Sequence, residues 1–69
     1  ARDTIKRLEE QYRHEAVEIL HLDGLSMRFD WGWFNVRASN TEPVLRLNLE
    51  ARTKEEMKER VKEMQRYFL

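Results

Sequence analysis

From Val17 to Glu50, apolar residues recur at every second position in short runs broken by turn-forming residues. No other feature limits the possible folds as strongly, because a period of two sends alternate side chains to opposite faces of a strand. Val17 and Ile19 flank Glu18, and Asp23-Gly24 follows. An Asp-Gly pair between alternating runs predicts a hairpin with a type I′ turn, which needs positive φ at both central positions. Leu25, Met27 and Phe29 then alternate with Ser26, Arg28 and Asp30, and Asp30-Trp31-Gly32 predicts a second turn. In residues 33–38, Phe34, Val36 and Ala38 share one face while Trp33, Asn35 and Arg37 share the other. The loop SNTEP (39–43) precedes a fourth strand over 44–50, with Leu45, Leu47 and Leu49 inward.

Helical periodicity flanks these runs. Ile5, Leu8 and Tyr12 recur at i, i+3 and i+7, which predicts a helix over 4–13 with Asp3 as its cap. Ala16, Val17 and Leu20 roughly continue that stripe, so a helix reaching Leu20 competes with a strand from Val17; the Asp-Gly pair favours the strand. Thr53-Lys54-Glu55-Glu56 reads as a capping box, in which the Thr53 hydroxyl caps the Glu56 amide and Glu56 reaches back. From there Met57, Val61, Met64 and Phe68 form one apolar stripe of a helix to about Phe68, with Met57 and Met64 as core filler. The fold class is α+β: a four-stranded, mainly antiparallel sheet with two helices packed on one face, in the order αββββα.

A chain of 69 residues supports a single domain over 1–69. Domains of this size bury only about 60% of their unfolded surface, which leaves little room for a deep cleft. The start at Ala1 rather than Met reads as a piece cut from something longer. Lys and Arg number 13, Asp and Glu also 13, and this balance argues against nucleic-acid or membrane-surface binding. With no cysteine there is no disulfide scaffold and no thiolate metal site, and there is no apolar run of about 18 residues to span a membrane. The expected location is the cytoplasm. His14 and His21 stand seven apart with no further ligand pattern, so no metal site is expected, and His21 reads as a strand-face residue.

Chemistry concentrates in Arg37-Ala38-Ser39-Asn40-Thr41-Glu42-Pro43. A guanidinium at a strand end offers a donor fork matched to phosphate. Ser39 and Thr41 add hydroxyls and Asn40 an amide, and such loops tend to leave convergent backbone N–H groups as a nest. Pro43 holds Glu42 extended, and Glu42 is placed to pair with Arg46 or to orient Arg37. Ser-Asn-Thr is also ordinary turn chemistry, so composition leaves both readings open.

Residues 23–51 resemble the C-terminal domain of the alpha-D-phosphohexomutases. The specific part is R-x-S-N-T-E-P followed by an aliphatic strand, here Arg37 to Pro43 and then Val44-Leu45-Arg46-Leu47, with Asp23-Gly24-Leu25 about a dozen residues earlier. Asn40 aligns with the phosphomannomutase and phosphomannomutase/phosphoglucomutase branch of bacteria and archaea; the glucosamine branch carries Gly there. The resemblance implies a TATA-box-binding-protein-like fold and a place as the fourth domain of a larger enzyme. That enzyme is an isomerase that interconverts mannose 6-phosphate and mannose 1-phosphate, or the glucose phosphates, through a bisphosphate intermediate. By resemblance, Arg37, Ser39, Asn40 and Thr41 bind the substrate phosphate that is not transferred, with Glu42 and Pro43 in support. The catalytic phosphoserine and the Mg2+ site belong to other domains, so the resemblance implies no catalytic residue, no metal and no turnover here. The implied partners are the phosphosugar and the other three domains.

Two further readings compete. A base-stacking sheet would use Trp33, Asn35, Arg37 and Arg28, with the zero net charge against it. A protein-interaction module would need the Met57–Phe68 stripe exposed, yet the sheet needs it for cover. Trp31 and Trp33 bracket the second turn and read as packing residues on the sheet face or against a neighbouring domain; Trp33 shares its face with Arg37 and is placed to rim a site there. Arg28, Arg37 and Arg46 suggest a basic stripe, although pairing with Glu18, Asp30, Glu42 and Glu50 fits Arg28 and Arg46 better.

Overall fold

The first helix, α1 (Arg2–Tyr12), begins two residues earlier than the apolar stripe suggests, in a computed structural model that describes residues 2–39, 41 and 44–68. Asp3 lies inside its first turn rather than at the cap, where a negative charge complements the exposed N–H groups. Turn bonds from Glu15 N to Tyr12 O (3.0 Å) and Ala16 N to Arg13 O (3.4 Å) end the helix, and Val17 N then donates to Arg28 O at 2.8 Å. That bond opens the sheet, so the strand reading prevails beyond residue 17.

Strands β1 (Glu18–Leu20), β2 (Leu25–Phe29), β3 (Gly32–Ala38) and β4 (Leu45–Ala51) form one sheet in chain order, each antiparallel to the next. The β1–β2 turn departs from the sequence expectation. Gly24 has φ +74°, whereas Asp23 stays at negative φ, and Leu20 pairs with Ser26 across a longer loop. A type I′ turn is therefore absent; one left-handed glycine suffices. The β2–β3 connection is tighter than expected. Phe29 pairs with Gly32, so only Asp30 and Trp31 lie outside the ladder, and Gly32 belongs to β3.

Alternation sets the core. Leu25, Met27 and Phe29 of β2 and Phe34 and Val36 of β3 are buried beneath Leu8 and Tyr12 of α1 and Met64 of α2 (Lys54–Gln65), which puts both helices on one face of the sheet. The aromatic rings interlock: Tyr12 meets Phe29 and Phe34 edge-on at 6.1 and 5.9 Å. Trp31 corrects the expectation of an aromatic on the open face. It is buried in the core, stacked on Phe29 at 4.7 Å, with the Arg60 guanidinium 4.5 Å from its ring centre on the helix side.

Helix α2 begins at Thr53, whose hydroxyl accepts the Glu56 amide at 3.1 Å. The Glu56 carboxylate turns towards Arg52, 3.8 Å away. The helix stops at Gln65, three residues short of the expected end. Its apolar stripe divides. Met64 is fully buried and Phe68 packs on the core, but Met57 and Val61 are only half-buried and line a shallow groove with Lys58 and Lys62. Helix α2 covers β4, whose Leu45, Leu47 and Leu49 are half-buried, so the stripe runs off the edge of the sheet there. The two helices are joined by the Tyr12 hydroxyl, which donates to Glu63 of α2.

Burial, followed by the bond to Glu63 and its negative charge, pushes the Tyr12 phenol well above its ordinary pKa of 10.0. The folded domain therefore keeps a proton that the unfolded chain releases. The contribution is complete below pH 10 and is lost as pH rises through the folded value. Wild-type stability in urea should fall more steeply above about pH 10 than that of Tyr12→Phe. At neutral pH, Phe34→Ala should cost about 3–5 kcal/mol, a large share of the roughly 5–15 kcal/mol that holds a typical domain together. A urea titration followed by fluorescence measures this directly.

Candidate functional site

The face of the sheet opposite the helices carries Glu18, Leu20, Ser26, Arg28, Trp33, Asn35, Arg37, Arg46, Asn48 and Glu50, and the ladder sorts them into rows. At one end Glu18, Arg28, Trp33 and Glu50 lie side by side. They satisfy one another: Arg28 Nε donates to Glu18 at 3.3 Å, and Trp33 Nε1 donates to Glu50 at 3.3 Å. Leu20, Ser26, Asn35 and Asn48 form the middle row. At the far end Arg37 lies directly opposite Arg46.

The two arginines are the least expected element. Like charges facing each other across an antiparallel pair destabilise it by up to about 1 kcal/mol. Here they line a polar depression of about 410 Å³ with Asp23, Ala38 and Ser39. Asp23 accepts from Arg37 Nη1 at 3.2 Å. The loop that carries Asp23 is pinned by two features the sequence reading did not weigh. Asn35 Nδ2 donates to the Asp23 carbonyl (2.9 Å), to Ser26 Oγ (2.9 Å) and to the Leu25 carbonyl (3.4 Å). Gly24 packs so closely on β3 that a Cβ there would lie 2.3 Å from the Val36 carbonyl oxygen and 2.7 Å from Arg37 Cβ. The Asp-Gly pair therefore shapes the surroundings of Arg37 as well as turning the chain.

After β3, Ser39 bonds to both Val44 and Thr41. Ser39 N donates to Val44 O at 3.0 Å, and Thr41 N donates to Ser39 Oγ at 3.3 Å, with the Ser39 and Thr41 hydroxyls 3.5 Å apart. The expected nest of free amides is not what these two residues form: both N–H groups are engaged, and the hydroxyls and the Arg37 donors that Asp23 does not take remain. Asn40, Glu42 and Pro43 lie outside the described residues.

Other expectations fall away from this end of the sheet. Arg28 and Trp33 sit four residues from Arg37 along β3 or opposite it, about 13 Å at the rise of a strand. Neither rims the depression, and no basic stripe of three arginines forms. With Trp31 in the core, Trp33 is the one aromatic on the open face among the described residues, which leaves no stacking platform for bases. His21 lies in the β1–β2 loop rather than on a strand face, with Nε2 3.0 Å from Glu9. Among the described residues no three His, Asp or Glu side chains converge as a metal cage.

Known proteins agree with the fold. Residues 2–66 match the family described as phosphoglucomutase/phosphomannomutase, C-terminal domain. The chain belongs to this family. Among its relatives are the phosphomannomutases of Escherichia coli (strain K12), 51% identical over 51 residues, and Methanocaldococcus jannaschii, 45% identical over 60 residues. That of Salmonella typhimurium is 55% identical over 49 residues. These matches cover 72%, 87% and 70% of this chain but only 11%, 13% and 10% of the respective relatives, so the chain spans roughly a tenth of the length of the curated proteins it matches.

For this family domain, the close approach of Gly24 to β3 ties fold to site. Gly24→Ala places a Cβ at positive φ, which costs about 1–2 kcal/mol, and drives it into the Val36 carbonyl. The variant should lose more than about 1 kcal/mol in urea, and its amide spectrum should show the largest shifts at 23–25 and 36–38.

Proposed function

We propose that this domain anchors the non-transferred phosphate of a phosphosugar in a cytoplasmic phosphomannomutase that interconverts mannose 6-phosphate and mannose 1-phosphate. The observation that carries the reading is the pair Arg37 and Arg46, opposite each other in the ladder and lining one polar depression with Ser39. Arg37 supplies its fork and Ser39 and Thr41 their hydroxyls, and the motif assigns Asn40 to the same phosphate with Glu42 and Pro43 in support. Arg46 joins this set from the facing strand. The names of the phosphomannomutase relatives support the sugar class, and the motif R-x-S-N-T-E-P supports the assignment of residues.

The physical role is positional. Two arginines satisfy a phosphate that would otherwise require water, and holding a remote phosphate places the reacting end of the sugar against groups supplied by other domains. Positioning of this kind contributes up to several kcal/mol to a reaction barrier, and binding energy at a remote group is most useful when it is realised at the transition state. The magnesium expected of the whole enzyme is assigned to another of its domains. The chain alone binds and does not turn substrate over.

An amide NMR titration of the 69-residue chain tests this. Mannose 1-phosphate and mannose 6-phosphate should both shift Arg37, Ser39, Asn40 and Thr41 with affinities near 1 mM, about 4 kcal/mol. Mannose should shift none of them, and Arg37→Ala should abolish the response. Silence of that loop up to about 50 mM of either phosphate, which corresponds to under 2 kcal/mol of binding, overturns the reading.

A further inference from the structure

Asp23 poses a problem that the phosphate anchor does not solve. A carboxylate inside an anion site repels the ligand, and this one is 72% exposed and touches Arg37 through a single nitrogen. An exposed pair of this kind adds little to stability, typically under about 1 kcal/mol. Yet the backbone that presents it is held by the Asn35 amide on its carbonyl and by Gly24 pressed against the Arg37 backbone. Those restraints act on the main chain and leave the Asp23 side chain free to serve something other than the loop. The side-chain partner it meets is Arg37. A long arginine side chain, 46% exposed, otherwise samples many rotamers that must be frozen when an anion binds.

We propose that Asp23 is a positioning residue. By engaging Nη1 of Arg37 it holds the guanidinium over the depression, with its remaining N–H donors aimed at the incoming phosphate. This inference rests on the phosphate-anchor reading and names the residue that prepares that site. Charge and positioning make opposite demands, and this separates them. If Asp23 acted only as a charge, removing it would tighten anion binding. If it positions Arg37, removing it weakens binding although a repulsive charge has gone.

The test compares the chain with its Asp23→Asn variant, using mannose 1-phosphate as probe. Because the loop is gripped through the Asp23 carbonyl and Gly24, the variant keeps its turn, and unchanged amide shifts at 24–26 and 35 verify this. At about 0.5 M salt, where the Debye length falls to roughly 4 Å and the repulsive effect is largely screened, Asp23→Asn should bind about two- to tenfold more weakly, the cost of ordering one mobile side chain. The 15N heteronuclear NOE of Arg37 Nε–Hε in the free protein should drop at the same time, a change that a purely structural role for Asp23 would not produce in a correctly folded loop. Equal or tighter binding by Asp23→Asn, or an unchanged Arg37 NOE, overturns the inference while leaving the phosphate anchor intact. Absence of binding by the unaltered chain overturns both. Altered amide shifts at 24–26 and 35 show that the side chain was holding the loop, and this too overturns it.

Discussion

Burial of Phe34 and Val36 fixes the register of β3 against both neighbours, and the opposite face follows from it. In a strand a slip of one residue exchanges the two faces. Here it would expose two fully buried side chains and drive Asn35 and Arg37 beneath the helices. The apolar penalty alone is several kcal/mol, at about 1.5–3 kcal/mol for each large side chain withdrawn from water. Arg37 therefore faces Arg46, and Asn35 reaches the Asp23 loop, because rings on the far side of the sheet leave them no other place. The site inherits its precision from a core it does not touch.

Much of this was legible in the sequence, and the misses have physical causes. Period two in 25–29, 33–38 and 44–50 specified which residues face inward, because every strand is covered on one side only. The facing of Arg37 and Arg46 was also implicit: once the hairpin closes between Ala38 and Leu45, the next outward pair must be these two. Trp31 was misplaced because a turn residue has no strand parity to follow. Its ring folded back onto Phe29, where Arg60 covers it. The Asp-Gly pair suggested a two-residue turn, but Gly24 was needed for close approach to β3, and the chain met that need with a longer loop. Met57 and Val61 fit a helical stripe, but β4 ends the sheet, so the stripe is wider than the surface it covers.

The formal charge of zero and a local pair of arginines are not in conflict. Bulk charge governs long-range attraction, whereas a clamp depends on which charges a fold places side by side. Acidic partners neutralise Arg28 and Arg52 within their own neighbourhoods, at Glu18 and Glu56. The sheet gathers Arg37 and Arg46 at one end with Asp23 as their acidic neighbour. On the proposed reading, a domain of balanced composition holds an anion at one point, where the fold sets two arginines side by side.

The order of the strands has a kinetic consequence. Each strand pairs with the one before it in the chain, so the whole ladder is built from hairpins of short sequence separation. Such local contacts form early and at small entropic cost. The bond from Tyr12 to Glu63 spans 51 residues and closes the longest loop joined by a side-chain hydrogen bond among the described residues. A meander formed ahead of its helices would present Leu25, Met27, Phe34 and Val36 to water as an open apolar sheet. The closing of α1 against α2 is then the event that separates a folded domain from a sticky one.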